Sequence, residues 1–360
     1  MQTPQRNCER SEKNTKARRL QDLYSAVSSA RDAWVLIYGN PDPDALASSW
    51  GLKRLMNNVG VDPDIGYTGE VGRLENQIMC DSLRIPAHRV DAAALAKADF
   101  VAIVDAQPEF FRGFPLPRCD MVIDHHPRKS HRSFAFADIR PNSLATSAIV
   151  TEYLRQAGPS IPGKLATALY YGIQTDRRNM FRKPPQADID SIAYLENFVD
   201  RGVLRKIEYS MYSLARVDYL SVALIRMRHA HNVLYSHIGS APGSDILAQI
   251  ADFFIRFKEL DWAMVSGVIG DKLVVVFRCD GYRKHAGKVA ETAFGSLGSA
   301  GGHRCMARAE VGARELPEGL RLTHNENLQS FVLKAVSGVE KAFKPLYRHG
   351  VLREKEHLNL

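Results

Sequence analysis

Trp34-Val-Leu-Ile-Tyr38 runs straight into Gly39-Asn-Pro-Asp-Pro-Asp44. Five apolar residues without alternation fit a strand buried on both faces, the kind found in parallel sheets. The Gly, Asn and two Pro that follow form turns and stop it. Ala45 to Val59 then carries a helical pattern, and Gly60 stands where a C-terminal cap belongs. Strand, acidic turn and helix make the opening half of a βαβ unit.

The pattern returns twice. Phe100-Val-Ala-Ile-Val104 is a second buried strand ending at Asp105, and Met121-Val-Ile123 a third ending at Asp124-His125-His126. Helical patterns follow over Ser143–Gln156, Gly163–Ile173 and Ala187–Phe198. The alternation predicts an α/β protein whose N-terminal part is a mostly parallel sheet flanked by helices. Val203 to Asn232 contains no Gly or Pro and reads as long helices joining two domains. Beyond it come a strand (Val233–Ile238), a helix (Asp245–Phe257) and a hairpin, Trp262–Ile269 with Lys272–Phe277, around Gly270-Asp271. A glycine-rich turn (Gly295–Gly302) and an amphipathic helix (Leu328–Tyr347) complete a smaller C-terminal α/β domain. The expected divisions are a polar extension over 1–29, the first α/β domain over 30–200 and a helical linker over 201–232. The second domain then spans 233–315 and a helical extension 316–360.

Composition narrows the class. The 360 residues are 45% hydrophobic, enough for real cores, which excludes wholesale disorder. No run approaches the ~18 apolar residues of a membrane-spanning helix. Residues 1–19 hold six Lys/Arg and two Glu with no apolar stretch, so no secretory signal is expected. Five scattered cysteines without a C-x-x-C pair fit neither a disulfide framework nor a thiolate zinc site. They point to a reducing cytoplasm. The net charge of +8 is modest. Spread out it means solvated faces; gathered at a cleft it would favour a polyanion such as a nucleotide.

The chemistry lies at the strand ends. Asp42 and Asp44 follow the first buried strand, Asp105 the second, and Asp124, His125 and His126 the third. In open parallel sheets ligands bind outside the carboxyl ends of the strands, so these groups should converge. Asp176, in Tyr171-Gly-Ile-Gln-Thr-Asp176, closes a helix and adds a fourth element. Taken singly, each has an ordinary reading: turn chemistry for Asp-Pro-Asp, an N-cap for a lone Asp, a solvated loop for His-His-Pro. Thr146 and Ser147 open a helix, as caps or as phosphate contacts. Taken together, clustered carboxylates repel one another and need protons or cations. Carboxylate with imidazole suits Mn²⁺, with Mg²⁺, Co²⁺ or Zn²⁺ also open. The set suffices for two ions sharing one carboxylate, a known device for phosphoester hydrolysis.

Asn40-Pro-Asp-Pro-Asp44, Val104-Asp105, Val122-Ile-Asp-His-His-Pro127 and Gly172-Ile-Gln-Thr-Asp176 together resemble the DHH phosphoesterase family. That family includes RecJ-like nucleases, oligoribonuclease/phosphatases, cyclic-dinucleotide phosphodiesterases and family II pyrophosphatases. Ser299-Ala-Gly-Gly-His303 resembles the glycine-rich His motif of the DHH-associated domain. The resemblance spans about residues 30–315. It implies that Asp42 and Asp105 hold a first metal and that Asp44, Asp105, His125 and Asp176 hold a second. It implies that His126 faces the scissile phosphate and that Asp124 orients His125, with Asn40 supporting the first site. From the second domain it implies that Arg278, Gly301, Gly302 and His303 contact substrate. One position departs: many members carry a His ligand three residues before the motif's Pro, and here that residue is Tyr38.

The expected activity is a two-metal phosphodiesterase or phosphatase acting on short oligonucleotides or small nucleotides. These include nanoRNA, 3′-phosphoadenosine 5′-phosphate and linear or cyclic dinucleotides. The expected protein is cytoplasmic, uses two Mn²⁺ ions, with Mg²⁺ or Co²⁺ possible, and meets no membrane; a homodimer is compatible. Two other readings stand beside it: a catalytically weakened nucleotide-binding regulator, supported by Tyr38, and an inorganic pyrophosphatase.

Overall fold

A computed structural model describes residues 18–111, 113–158, 160–177, 183–210 and 213–348. The chain divides into two compact units, Met1–Met211 and Tyr212–Leu360. Most of the polar N-terminal extension, Cys8 and the end of the C-terminal extension lie outside the described residues.

The first unit opens with α1 (residues 18–27), then β1 (Ala33–Ile37) and α2 (Pro43–Asn57). All five residues of β1 are buried. Its side chains alternate between two cores, as the period of two requires: Val35 and Ile37 on one face, Trp34 and Leu36 on the other. Each such side chain contributes roughly 1.5–3 kcal/mol on leaving water. Asp42 caps α2, its Oδ1 accepting from Ala45 N at 2.9 Å, and Pro43 fills a first-turn position that needs no N–H.

The chain continues through β2 (Asp64–Tyr67), α3 (Leu74–Leu83), β3 (Ala87–Arg89), α4 (Ala92–Leu95), β4 (Phe100–Val104), β5 (Met121–Asp124) and β6 (Phe136–Ile139). The sheet is wholly parallel, in the order β3-β2-β1-β4-β5-β6. After β3 the chain crosses back to lay β4 on the free side of β1. The strand order therefore reverses between β1 and β4, and a crevice opens at their carboxyl ends. Helices α5 (Thr146–Ala157), α6 (Gly163–Arg177), α7 (Gln186–Leu195) and α8 (Arg201–Glu208) follow. A Cβ on Gly51 of α2 would meet Val150 Cγ1 of α5 at 2.6 Å, so these two helices approach at a point only glycine allows.

The second unit holds α9 (Val217–Arg226), β7 (Arg228–Ala230), β8 (Val233–Ser240), α10 (Ser244–Phe254), β9 (Trp262–Ile269) and β10 (Lys272–Cys279). It continues with α11 (Ala286–Phe294), β11 (Ser299–Gly302), β12 (Met306–Gly312), α12 (Asn325–Val339) and α13 (Lys344–Arg348). The sheet order is β11-β12-β10-β9-β8-β7, antiparallel except for β8 against β9. Trp262, Met264 and Phe277 fill the core on one face, and Leu247, Phe254 and Val276 on the other. The fold is thus α/β with a parallel first sheet, as the strand–helix alternation predicts.

Three local expectations differ. The helical run expected over Val203–Asn232 breaks after Glu208, and a strand occupies Arg228–Ala230. Leu204 and Ile207 face inward, but Tyr209 and Leu214 are solvent-exposed, so no buried stripe carries α8 onward. The last helix stops at Val339 and resumes as α13, because Pro345 cannot donate within a continuous helix. The glycine-rich turn contains an edge strand, β11, paired to β12.

Candidate active site

The crevice at the β1/β4 reversal gathers the acids. Asp42 and Asp44 arrive on the turn that starts α2, Asp105 just past β4, and Asp124, His125 and His126 at the end of β5. Asp176 comes from the last turn of α6. Its arrival depends on Gly172, one helical turn earlier on the same face. A Cβ there would lie 2.8 Å from Ser147 Oγ and 3.0 Å from Pro43 O, so only glycine lets α6 press against the starts of α2 and α5.

Two overlapping groups of ligand atoms result. Asp44, His125 and Asp176 form one, and Asp105, His125 and His126 the other, with atoms in each within 4.8 Å of one another. His125 Nε2 lies 3.2 Å from Asp176 Oδ2 and 3.4 Å from Asp105 Oδ1. His126 Nδ1 lies 3.7 Å from Asp105 Oδ1. Here His125 joins the two groups, where Asp105 was the expected shared ligand. Asp42 is in neither: it is more exposed and serves as the α2 cap. Asn40 likewise stands apart, its Oδ1 accepting from Glu70 N at 2.9 Å and tying the turn to the loop after β2.

The electrostatics fit a cation site. Asp42 keeps solvent contact at the mouth of the crevice, and the dense protein around it, then the charges of Asp176 and Asp44, push its carboxyl up to about 7. Asp44, fully buried, is raised by burial and by Asp176. Asp105 is held well above the usual carboxylate range by burial and by Asp44, Asp42 and Asp176. Burial pulls His125 down, but its bond to Asp176 and the charges of Asp44 and Asp176 prevail and lift it to about 9. Several carboxylates crowded with imidazole in a desolvated cup are the donor set of a divalent cation. Asp105 also holds φ at 55°, a left-handed conformation uncommon outside glycine and tolerated best by Asn and Asp.

Partial positive charge is already aimed at the cluster. The first two amides of α5 donate to one carboxylate, Thr146 N to Asp44 Oδ2 and Ser147 N to Asp44 Oδ1, both at 2.7 Å. The helix N-terminus favours the anion and fixes its orientation. Thr146 Oγ1 donates to Asp105 Oδ1 at 3.0 Å. The start of α5 is therefore bonded to the acids.

Asp124 corrects the expectation made for it. Its Oδ1 accepts from His126, from Nδ1 at 2.9 Å and from N at 3.1 Å, and it orients His126, not His125. Asp124 ends β5, and the turn after it brings the amide and ring of His126 back onto the Asp124 carboxylate, while the His125 ring, 4.6 Å from that of His126, turns its Nε2 to Asp176 and Asp105. Burial would raise Asp124, but the bonds from His126 and Gln107 hold it below the usual carboxylate range. Gln107 was not foreseen. Buried two residues past Asp105, it uses all four of its bonding positions. Nε2 donates to Asp124 Oδ2 (2.6 Å) and Pro127 O (3.1 Å), and Oε1 accepts from Lys129 N (2.6 Å) and Ser130 N (2.9 Å). A Gln shortly after a strand-end Asp was the only local signal.

The expected substrate contacts of the second unit lie on β10, on β11 and, for His303, just past β11. Arg278 is buried, Nε donating to Asp252 Oδ1 at 2.5 Å and a terminal nitrogen to Phe277 O at 3.0 Å. Gly302 is required by packing. A Cβ there would meet Met306 O at 2.4 Å and Ala307 Cα at 2.6 Å, at a φ of 146°. Gly301 faces open space. His303 is exposed, its N bonded to Met306 O at 2.8 Å and its carbonyl to Gly287 N at 2.9 Å.

Comparison with known proteins agrees with this fold. Residues 34–173 match the family model of the DHH family, N-terminal domain. That segment is an N-terminal domain of the DHH family. A curated relative, an uncharacterised protein of Methanocaldococcus jannaschii, is 32% identical over 278 residues. That match takes in 77% of this chain but spans only 57% of the relative's length. Among solved structures, an exopolyphosphatase-related protein from Bacteroides fragilis superposes with a TM-score of 0.72 at 14% identity, covering 91% of this chain and 98% of that one. RecJ from Thermus thermophilus, in complex with Mn²⁺, gives 0.50 at 12% identity over 90% of this chain and 55% of its own. At these identities the two structures establish the fold.

Proposed function

We propose that the chain is a metal-dependent phosphoesterase. The observation that carries this is the convergence of Asp44, Asp105, His125 and Asp176 in one buried cup at the β1/β4 reversal. Divalent cations, when bound there, supply Lewis acidity and lower the pKa of a coordinated water. Mn²⁺ suits the mixed carboxylate–imidazole set, and the Mn²⁺ complex of RecJ supports it; Mg²⁺ and Co²⁺ are compatible.

The remaining roles belong to the chain. Asp44, locked by the amides of Thr146 and Ser147, presents a fixed carboxylate. Asp124 accepts from the Nδ1–H of His126 and leaves Nε2 to face the phosphoryl oxygens. Asp42, at the mouth of the cup, completes the ligand set for a second ion. The substrates we infer are short oligonucleotides and small nucleotides, in a cytoplasmic protein able to form a homodimer. Arg278, Gly301, Gly302 and His303 are the proposed contacts from the second unit.

Purified protein with Mn²⁺, offered short RNA, linear and cyclic dinucleotides, 3′-phosphoadenosine 5′-phosphate and pyrophosphate, tests the reading. Chelator-sensitive hydrolysis of a nucleotide is the expected result. Turnover of pyrophosphate alone would make it a pyrophosphatase, and nucleotide binding without turnover would make it a regulator.

A further inference from the structure

A group of rings stands beside the carboxylates, and hydrolysis itself leaves them without a role. Tyr38 directly follows β1, at the strand end that carries Asp42 and Asp44. Its ring centroid lies 5.2 Å from that of Phe111 and 6.4 Å from that of Phe110. Phe110 in turn meets His126 edge-on, at 6.0 Å and 86°. Tyr38 and His126 follow β1 and β5, two of the strands whose ends carry the acids, and Phe110 and Phe111 end and cap the short 3-10 turn at Pro108–Phe110 in the loop after β4.

Packing accounts for only part of this group. Phe111 is buried and belongs to the core beneath the sheet, together with the partly buried Phe110 and Phe114. Tyr38 is 43% exposed. One side rests on Phe110 and Phe111, and the other is open. Its backbone is held as well: Gly39 N donates to Thr68 Oγ1 at 2.8 Å, Thr68 N to Ile37 O at 3.2 Å, and Gly69 N to Gly39 O at 2.9 Å. A large ring fixed from behind and open in front gives up little conformational freedom when a second ring stacks on it.

We propose that Tyr38, backed by Phe110, is a stacking face for a nucleobase of the substrate, next to the phosphate position at His126. Tyr38 and His126 both pack on the Phe110 ring, which sets the stacking face beside the phosphate position. The inference rests on the phosphoesterase reading and names the surface that would favour nucleotides in it, because inorganic polyphosphates have no ring to offer. Stacking accepts any base, since each has a π face, so the site sorts by the presence of a base and not by its identity.

The test measures binding and turnover of one dinucleotide and of two analogues, each abasic at one ribose, with Mn²⁺ present. For the wild type, one abasic analogue should bind roughly 10- to 100-fold more weakly than the intact dinucleotide. Tyr38→Ala should erase that ratio, and Tyr38→Phe should keep it. Phe110→Leu, which removes the backing ring but keeps an apolar side chain, should reduce it. A wild type indifferent to both abasic analogues, or a Tyr38→Ala protein that still discriminates, would overturn the stacking face. Discrimination by the wild type with no hydrolysis of the intact dinucleotide would instead overturn the phosphoesterase reading. The wild-type ratio decides the matter even where a variant fails to fold.

Discussion

Gln107 Nε2 donates to Asp124 Oδ2 at 2.6 Å, and Asp124 Oδ1 accepts from His126 Nδ1 at 2.9 Å. A neutral, fully satisfied amide thus sets the carboxylate that sets the histidine. Gln107→Ala leaves Asp124 short of a donor and the amides of Lys129 and Ser130 short of an acceptor. Each orphaned group costs about 1–3 kcal/mol. Activity should fall roughly 10- to 100-fold as His126 loses its orientation. Gln107→Glu should be worse, because it sets a like charge against Asp124 and removes the donor. Chemical denaturation read beside kinetics checks both effects; unchanged activity in Gln107→Ala would remove Gln107 from the positioning of His126.

The carboxylate cluster strains the metal-free protein. Asp105→Asn keeps a residue that tolerates the left-handed backbone and removes one charge. In chelator its Tm should rise. With saturating Mn²⁺ it should lose most of the wild type's gain, which is about 2.7 kcal/mol at one hundred times Kd. Hydrolysis should drop by at least ~10³ as the ligand geometry is lost. Turnover within tenfold of wild type would contradict the assignment of Asp105.

The motif resemblance puts a His ligand at the position that Tyr38 occupies. Tyr38→His should raise activity at low Mn²⁺ concentration. The same change should weaken discrimination against abasic substrates, since the smaller ring stacks less. A Mn²⁺ titration of activity on both substrates resolves the two effects.

Arg278 offers a choice between clamp and strut. Its bond to Asp252, whose carboxylate keeps partial contact with water, means that Arg278→Ala leaves a half-buried carboxylate without its cation, a loss of roughly 1–3 kcal/mol. Asp252→Asn keeps a hydrogen-bonding oxygen and isolates the charge. A clamp predicts a raised KM for nucleotides in Arg278→Lys at unchanged Tm. A strut predicts a lowered Tm with KM intact.

His237 makes the second unit acid-sensitive. It is buried, with Nδ1 at 2.8 Å from Ser266 Oγ and Nε2 at 3.2 Å from Asn325 Oδ1. Burial, with a smaller push from Arg226, outweighs the Asn325 bond and pulls it from 6.5 down to about 4. The unfolded chain takes up this proton near pH 6.5 and the folded chain only near 4, so the unfolded state binds more protons in between. Stability is therefore full above that window and falls as pH drops through it, by about 3 kcal/mol. Urea denaturation from pH 7 to 4 should show the slope, and His237→Gln should flatten it.

The strands that carry the site were legible in the sequence because their signals are local. β4 and β5 are unbroken apolar runs that end in acid, β1 is one followed by an acidic turn, and the β9–β10 hairpin turns at Gly270-Asp271. Period, turn chemistry and charge at a strand end are properties of a few adjacent residues. β2, β3 and β6 gave no such signal, being three or four residues long and only partly apolar. Their place is decided by neighbours in the sheet. The partners of the site residues belong to the same class. Asp44 meets the amides of Thr146 and Ser147 across more than one hundred residues of chain, and Asp105 meets Thr146 across 41. Asp124 chooses His126 over His125 through the geometry of a strand end, and Tyr38 becomes a supported, open ring only once Phe110 and Phe111 pack behind it. The sequence by itself determined which chemical groups stand at the carboxyl ends of the buried strands. Tertiary packing alone decided which of them touch, because hydrogen bonds and ring contacts depend on distances that the folded sheet and helices impose.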